Sequence, residues 1–186
     1  MRILSKIQRM FKVKRYNVSY LSDPTDIISI SVKAPITVEE VTPGNVDHVI
    51  DFQPEKYTAI FNRLLKEDQC GVYAVEDSKV VGHAWAIVCH DKRGRSVGYY
   101  DLHAGEALIH YCEVESSRRG CGIYPAMLFS LCKRLFNEEG ISKVFANTEI
   151  DNIAALRSIA KVGFKTAGRY LFLRFRGRLV YKKELV

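Results

Sequence analysis

Apolar residues recur along the chain with two different periods, and each change of period marks a change of element. After Pro35, Ile36-Thr-Val-Glu-Glu-Val41 alternates as a half-buried strand does. Residues 17–20 and 27–32 alternate more weakly and read as short strands or a lead-in. Thr42-Pro43 has the chemistry of a helix start, with Thr42 as cap and Pro43 in the first helical position. A second helix opens at Pro54, where Tyr57, Ile60, Phe61, Leu64 and Leu65 share one face. Residues 71–75 and 80–88, joined by the polar Glu76-Asp-Ser-Lys79, read as an antiparallel hairpin.

The charged residues 91–98 read as a loop, and residues 106–114 as another strand. Ile123, Met127, Leu128, Leu131 and Leu135 then return at helical spacing, and Gly140 ends that helix. A strand over residues 143–150 leads to Asp151 or Asn152 as the cap of a further helix. Its expected buried face carries Ile153, Leu156 and Ala160, and Gly163 ends it. From Tyr170 the tail reads as two strands turning at Arg176-Gly177-Arg178. No repeat or linker divides the chain. A meander of strands followed by β-α-β-α-β implies the α/β class (α+β mixed), a mixed sheet with helices on its faces.

The 186 residues suit one domain with a core of its own, and no run is apolar enough to span a membrane. Five cysteines without close spacing argue against a disulfide framework, so a reduced, cytoplasmic protein is expected. No HExxH or paired-cysteine spacing suggests a metal site. The net charge of +7 is uneven: residues 1–16 hold six basic side chains and no acid, and residues 157–186 hold nine against Glu184. The stretch between is acidic, which weakens a nucleic-acid reading of the basic ends. Ile3, Leu4, Ile7, Met10 and Phe11 fall on one helical face among lysines and arginines. Such a helix docks on its own domain or on a partner subunit, as in a homodimer. The alternatives are an anionic membrane surface or, last, nucleic acid.

Ser116-Ser-Arg-Arg-Gly-Cys-Gly-Ile123 is the most informative stretch. A strand stops at Val114, two glycines flank one residue, and an amphipathic helix begins at once. Glycines let successive N–H groups converge, the helix start adds partial positive charge, and Arg118 and Arg119 add full charges. That is a cradle for an anion such as pyrophosphate, or else a glycine turn with two solvated arginines. It is neither a Walker loop nor a dinucleotide fingerprint, because the required Gly-Lys-Ser/Thr and third glycine are missing.

Arg119-Gly-Cys-Gly122-Ile123 resembles the Arg/Gln-x-x-Gly-x-Gly/Ala signature of the GCN5-related N-acetyltransferases. Asn152-Ile-Ala-Ala155 and Lys161-Val-Gly-Phe164 resemble that family's second landmark, an Asn opening a helix that closes on a Gly-Phe strand start. The resemblance spans residues 36–175. It implies one acetyltransferase-like domain over residues 36–186, with residues 1–35 as a basic lead-in outside it. The fold implied is a mostly antiparallel twisted sheet whose parallel central strands splay at the acyl-coenzyme A site.

The activity implied is transfer of an acetyl group from acetyl-CoA to a primary amine, an amino sugar or other small amine ahead of a protein amine. A non-catalytic acyl-CoA-binding module is the rival. The resemblance places pyrophosphate on Arg119, Gly120, Cys121, Gly122, Ile123 and Tyr124, and the pantetheine arm beside Cys112 and Val114. It has Asn152 help to hold that arm. Two departures stand out: Tyr124 replaces the signature's last Gly/Ala, and Ile159 replaces a tyrosine that often protonates the leaving thiolate. Ser158 and solvent are weak substitutes. A protonated amine needs a base, and the strand before the turn offers Glu106 and His110, with Glu113 behind them. By simple alternation Glu106, Leu108, His110, Cys112 and Val114 share a face, unless a bulge shifts the phase. Cys112 as a nucleophile lacks partners in the sequence, and His83 reads as structural.

Overall fold

The structure is a computed structural model and describes residues 11–97, 100–176 and 178–185. Among the described residues ten strands are formed: β1 (Phe11–Leu21), β2 (Thr37–Glu40), β3 (Cys70–Glu76), β4 (Lys79–Cys89), β5 (Arg95–Val97), β6 (Tyr100–Leu102), β7 (Glu106–Val114), β8 (Lys143–Glu149), β9 (Lys165–Phe175) and β10 (Arg178–Leu185). Among the same residues three α-helices accompany them: α1 (Lys56–Lys66), α2 (Ile123–Asn137) and α3 (Ile153–Lys161). Eight strands make one sheet in the order β10-β9-β1-β8-β7-β4-β3-β2, and β5 and β6 pair separately. Every neighbouring pair is antiparallel except β7 and β8. Those two are in register only from Glu106–Lys143 to Ile109–Ala146 and part beyond it.

Helix α2 lies on one face of the sheet. Met127, Leu128, Leu131 and Leu135 pack there on a floor of small residues, among them Ala84, Ala86, Ala107 and Ala146. On the other face α1 sets Phe61 and Leu64 against Tyr73 and Trp85. Strand β4 is buried on both faces, which is why its sequence reads as an unbroken apolar run. Among the described residues no helix is long and apolar enough to cross a membrane.

Several expectations need correction. The sheet does not begin near Ile36: β1 is inserted between β9 and β8, so the supposed lead-in supplies an inner strand. Its basic residues gain acidic partners there, such as Lys14 with Glu149. The amphipathic helix expected before it falls on residues 1–10, outside the described residues, and Phe11 opens a strand. Residues 27–32 form no strand, although Ile27, Ile30 and Val32 pack on the core. No helix starts at Thr42. The Asn45 side chain accepts from Thr42 N–H (2.7 Å) and donates to Glu40 O (2.8 Å), closing a turn before a short 3-10 segment, Val46–Asp51. The charged loop contains β5, paired with β6. On α3, Ile153 and Ala160 are exposed, and the buried stripe runs through Ile159 to Val162 and Phe164. That helix touches α2 and β8 along one narrow side, and its first turn stands at an open mouth.

The strand alternation also shifts phase. His83 pairs with Glu113 and Trp85 with His110, so Tyr111 and Cys112 both stand opposite Ala84. Tyr111 takes φ +44°, a left-handed conformation that marks the extra residue of a bulge. Ala107, Ile109, Cys112 and Val114 therefore share the α2 face, and His110 lies on the opposite one.

Gly163 holds the return from α3 at φ +108°, where an added Cβ would sit 2.1 Å from Asp26 O. Gly140, at φ +62°, has nothing within 4 Å of that position. Gly140→Ala is expected to lose about 1 kcal/mol, the conformational cost alone. Gly163→Ala should lose roughly 2–3 kcal/mol or more, since the main chain must also move. Urea unfolding of both variants checks the difference.

Candidate active site

Strand β7 ends by handing its ladder on to a loop: Glu115 N–H donates to Val81 O at 2.9 Å. Because Glu115 bonds β4, the main-chain groups of Val114 point the other way, toward the gap left by β8. A 3-10 turn, Ser116–Arg118, follows, and Gly120 (φ +83°) and Gly122 (φ +86°) then swing the chain into α2. Gly122 occupies the cap position and supplies no capping side chain, so the first-turn N–H groups are left for a ligand or solvent. Lys33 N–H donates to Cys121 O at 3.1 Å, tying the turn to the chain that precedes β2.

A cleft of about 820 Å³ opens between the parting strands and over this turn. Strand β7 contributes His110, Cys112 and Val114. The turn and the start of α2 contribute Arg119, Gly120, Gly122, Ile123 and Tyr124, and the cap of α3 contributes Asn152. Cys121 points elsewhere and packs on the core. Glu106 is also outside the cleft. It begins β7, eight residues and about 26 Å of extended strand before Val114, and accepts from His103 N–H at 2.9 Å. Alternation indicates a face but not an end, and Glu106 sits where β7 and β8 are still paired. It is not placed to act on a group in the cleft.

Basic side chains dominate the mouth, with Arg118, Arg119, Arg157 and Lys161 on its walls. Arg118 is fixed by an ion pair of 2.7 Å with the buried Glu76 carboxylate. Arg119 Nε donates to Val114 O at 3.2 Å, and its guanidinium lies 4.0 Å from Glu113. Asn152 serves first as a cap: its Oδ1 accepts from Ala155 N–H at 3.1 Å.

Deeper in the cleft, His110 Nε2 lies 2.6 Å from Gln69 Oε1, and Gln69 Nε2 lies 2.9 Å from Glu67 Oε2. Burial, with the Arg95 charge nearby, pushes the His110 imidazole down from 6.5 to about 4. His83 is buried and donates from Nδ1 to Tyr111 O at 2.7 Å, bracing the bulge. Burial also lowers its pKa.

Cys112 donates to His110 O at 3.3 Å, and the Tyr124 phenol is hydrogen-bonded to its sulfur. Burial pushes the Cys112 thiol up to about 12, so it is protonated at neutral pH and does not serve as a nucleophile. Tyr124 thus turns its phenol inward against β7. Ile159 is buried in the core, and Ser158 Oγ donates to Ala154 O at 2.9 Å.

Two residues of the cleft region escaped the sequence reading. Gln69, buried after a left-handed Asp68, carries no motif. Asn147 lines the cleft with both polar atoms of its carboxamide shut from solvent and without a hydrogen-bond partner. A signal existed: Asn147 falls in phase with Phe145, where alternation calls for an apolar residue.

A family model described as Acetyltransferase (GNAT) family matches residues 40–164. No curated protein sequence matches. Among solved structures, an acetyltransferase from the GNAT family of Colwellia psychrerythraea is 18% identical with a TM-score of 0.63, over 89% of this chain and 56% of that one. A GCN5-related N-acetyltransferase from Sphaerobacter thermophilus is 18% identical with a TM-score of 0.62, over 98% and 55%. AAC(6')-Iy, in complex with the bisubstrate analogue CoA-S-monomethyl-acetylneamine, is 17% identical with a TM-score of 0.56, over 71% and 92%. The chain therefore spans little more than half the length of the first two.

Two outcomes test this geometry. An unpartnered buried carboxamide is a cost, so Asn147→Leu should leave the free energy of unfolding unchanged or raise it by up to about 1 kcal/mol. A loss in urea unfolding would mean that the carboxamide is satisfied. His110 and His83 are both shifted toward the neutral form in the fold; the contribution of His110 to stability is whole above pH 6.5 and fades as pH falls toward 4, and burial of His83 acts in the same direction. Melting temperature should drop over that window, and His110→Gln should flatten the slope.

Proposed function

Because the chain belongs to the acetyltransferase (GNAT) family, we propose that it binds acetyl-CoA between β7 and β8 and transfers the acetyl group directly to a primary amine. One observation carries this reading. The parallel strands part after Ile109 and Ala146, and the Val114 N–H, left without a β8 partner, then stands beside a helix N-terminus with no side-chain cap. Extended amide-rich chains pair with such an edge as an added strand does. Polyphosphates suit such a helix start.

The residues present fit this co-substrate. Gly120, Gly122 and Ile123 would take its pyrophosphate on main-chain N–H groups, with Arg118 and Arg119 adding charge. Cys112 and Val114 would pair its arm, and Asn152 retains its side-chain N–H₂ for the same arm. Acetyl-CoA supplies an activated acyl group on a thioester. The remaining work falls to the chain: the Val114 N–H polarises a carbonyl brought to it, and His110 accepts a proton from the attacking amine. A neutral imidazole at pH 7 is ready for that role without first losing a proton.

We read the acceptor as a small amine, with an amino sugar ahead of a protein amine. The bisubstrate analogue bound to AAC(6')-Iy, a protein of the same fold, supports that order. Burial of Ile159 favours a second reading, a module that binds coenzyme A without turning it over, because no tyrosine is available there to protonate a leaving thiolate.

Calorimetry with acetyl-CoA and a thiol-release assay with glucosamine and other primary amines separate the readings. The expected result is binding with turnover, a KM for acetyl-CoA raised about tenfold in Arg119→Gln, and a kcat lowered by about a hundredfold or more in His110→Gln. Binding without turnover for any amine supports the module. Absence of binding removes both.

A further inference from the structure

We infer that Glu67 and Gln69 form a positioning chain that fixes the tautomer of His110 and leaves its Nδ1 bare. The inference rests on the cleft being an acetyl-transfer site, where that nitrogen would receive the proton of the amine.

Each link is forced by the one before it. Glu67 offers Gln69 only acceptor oxygens, so the group 2.9 Å from Glu67 Oε2 is the Gln69 N–H₂. The amide oxygen of Gln69 must then be the atom 2.6 Å from His110. A carbonyl oxygen accepts only, so His110 Nε2 carries the hydrogen and donates it. In a neutral imidazole the other nitrogen is then bare. The opposite tautomer would set two lone pairs against each other at 2.6 Å, with no water able to intervene.

The chain is anchored at both ends. Gln69 is buried, and its main-chain N–H donates to Leu64 O at 3.1 Å. Glu67 closes α1 and stands 3.8 Å from both Arg63 and Arg95. The charged and titratable groups around the imidazole are Arg95 from β5, Glu67 from the end of α1, and Tyr111 beside it on β7. Nδ1 has no hydrogen-bond partner among the described residues, while the ring lines the cleft. Proton uptake at Nδ1 leaves the Nε2–H bond to Gln69 intact. The ring can therefore accept and release a proton without turning. Gln69 and Glu67 act through His110 and are positioning residues.

Nitrogen NMR of the protein labelled with ¹⁵N-histidine, without ligands at pH 7, reads the tautomer directly once the His110→Gln spectrum assigns the signal. A single Nε2–H form is expected, exceeding the other by about tenfold or more. Gln69→Leu should bring the two forms within about threefold of each other, lower kcat about tenfold and leave the KM for acetyl-CoA unchanged. An Nδ1–H form or a mixture in the unaltered protein would overturn the inference. So would a Gln69→Leu protein that melts normally and keeps the original ring spectrum. The ring spectrum needs no substrate, so failure here is distinguishable from failure to transfer acetyl groups.

Discussion

A sheet that is antiparallel everywhere except between two central strands carries a fault line, and the function proposed for this protein depends on it. Strands β7 and β8 run parallel, joined through α2, and hold their ladder for only four residues each. Once they part, the β7 edge offers main-chain donors and acceptors inside the molecule rather than at its rim. Unpaired peptide groups are costly unless water or a ligand satisfies them. A cleft wide enough for both follows at once, and α2 begins at its mouth, with its N-terminal N–H groups at the end where a polyphosphate would enter.

The bulge at Tyr111 sets what faces that fault line. Without the extra residue, His110 and Cys112 would lie on one face of the sheet. With it, Cys112 and Val114 turn toward α2 while His110 faces the other side with Phe145 and Asn147. His83 fixes this by donating to Tyr111 O from beneath. The two histidines therefore divide the labour. One braces the backbone from a buried site, and the other keeps a nitrogen on the cleft.

The turn from Ser116 to Ile123 was legible because its chemistry is local: two glycines, two arginines and a helix start are contiguous in sequence. The hairpin of β3 and β4, the α2 stripe and the fold class were legible for the same reason, since period and turn residues are written within short windows. Other features depend on long-range partners. The inner position of β1 is decided by what β8 and β9 leave open, and its own weak alternation does not announce it. The phase of β7 hinges on one left-handed residue that no glycine marks. Glu106 was misplaced because face and depth are independent properties of a strand. Gln69 meets His110 across 41 positions of sequence, and nothing in either neighbourhood points to the other.

Residue-resolved amide hydrogen exchange, with and without acetyl-CoA, tests the fault line most directly. The account predicts that exchange at Val114 and across residues 120–124 slows by about tenfold or more when acetyl-CoA is added. Residues 106–109, already paired with β8, should not change. Unaltered exchange through residues 112–124, or protection confined to another part of the sheet, would contradict it.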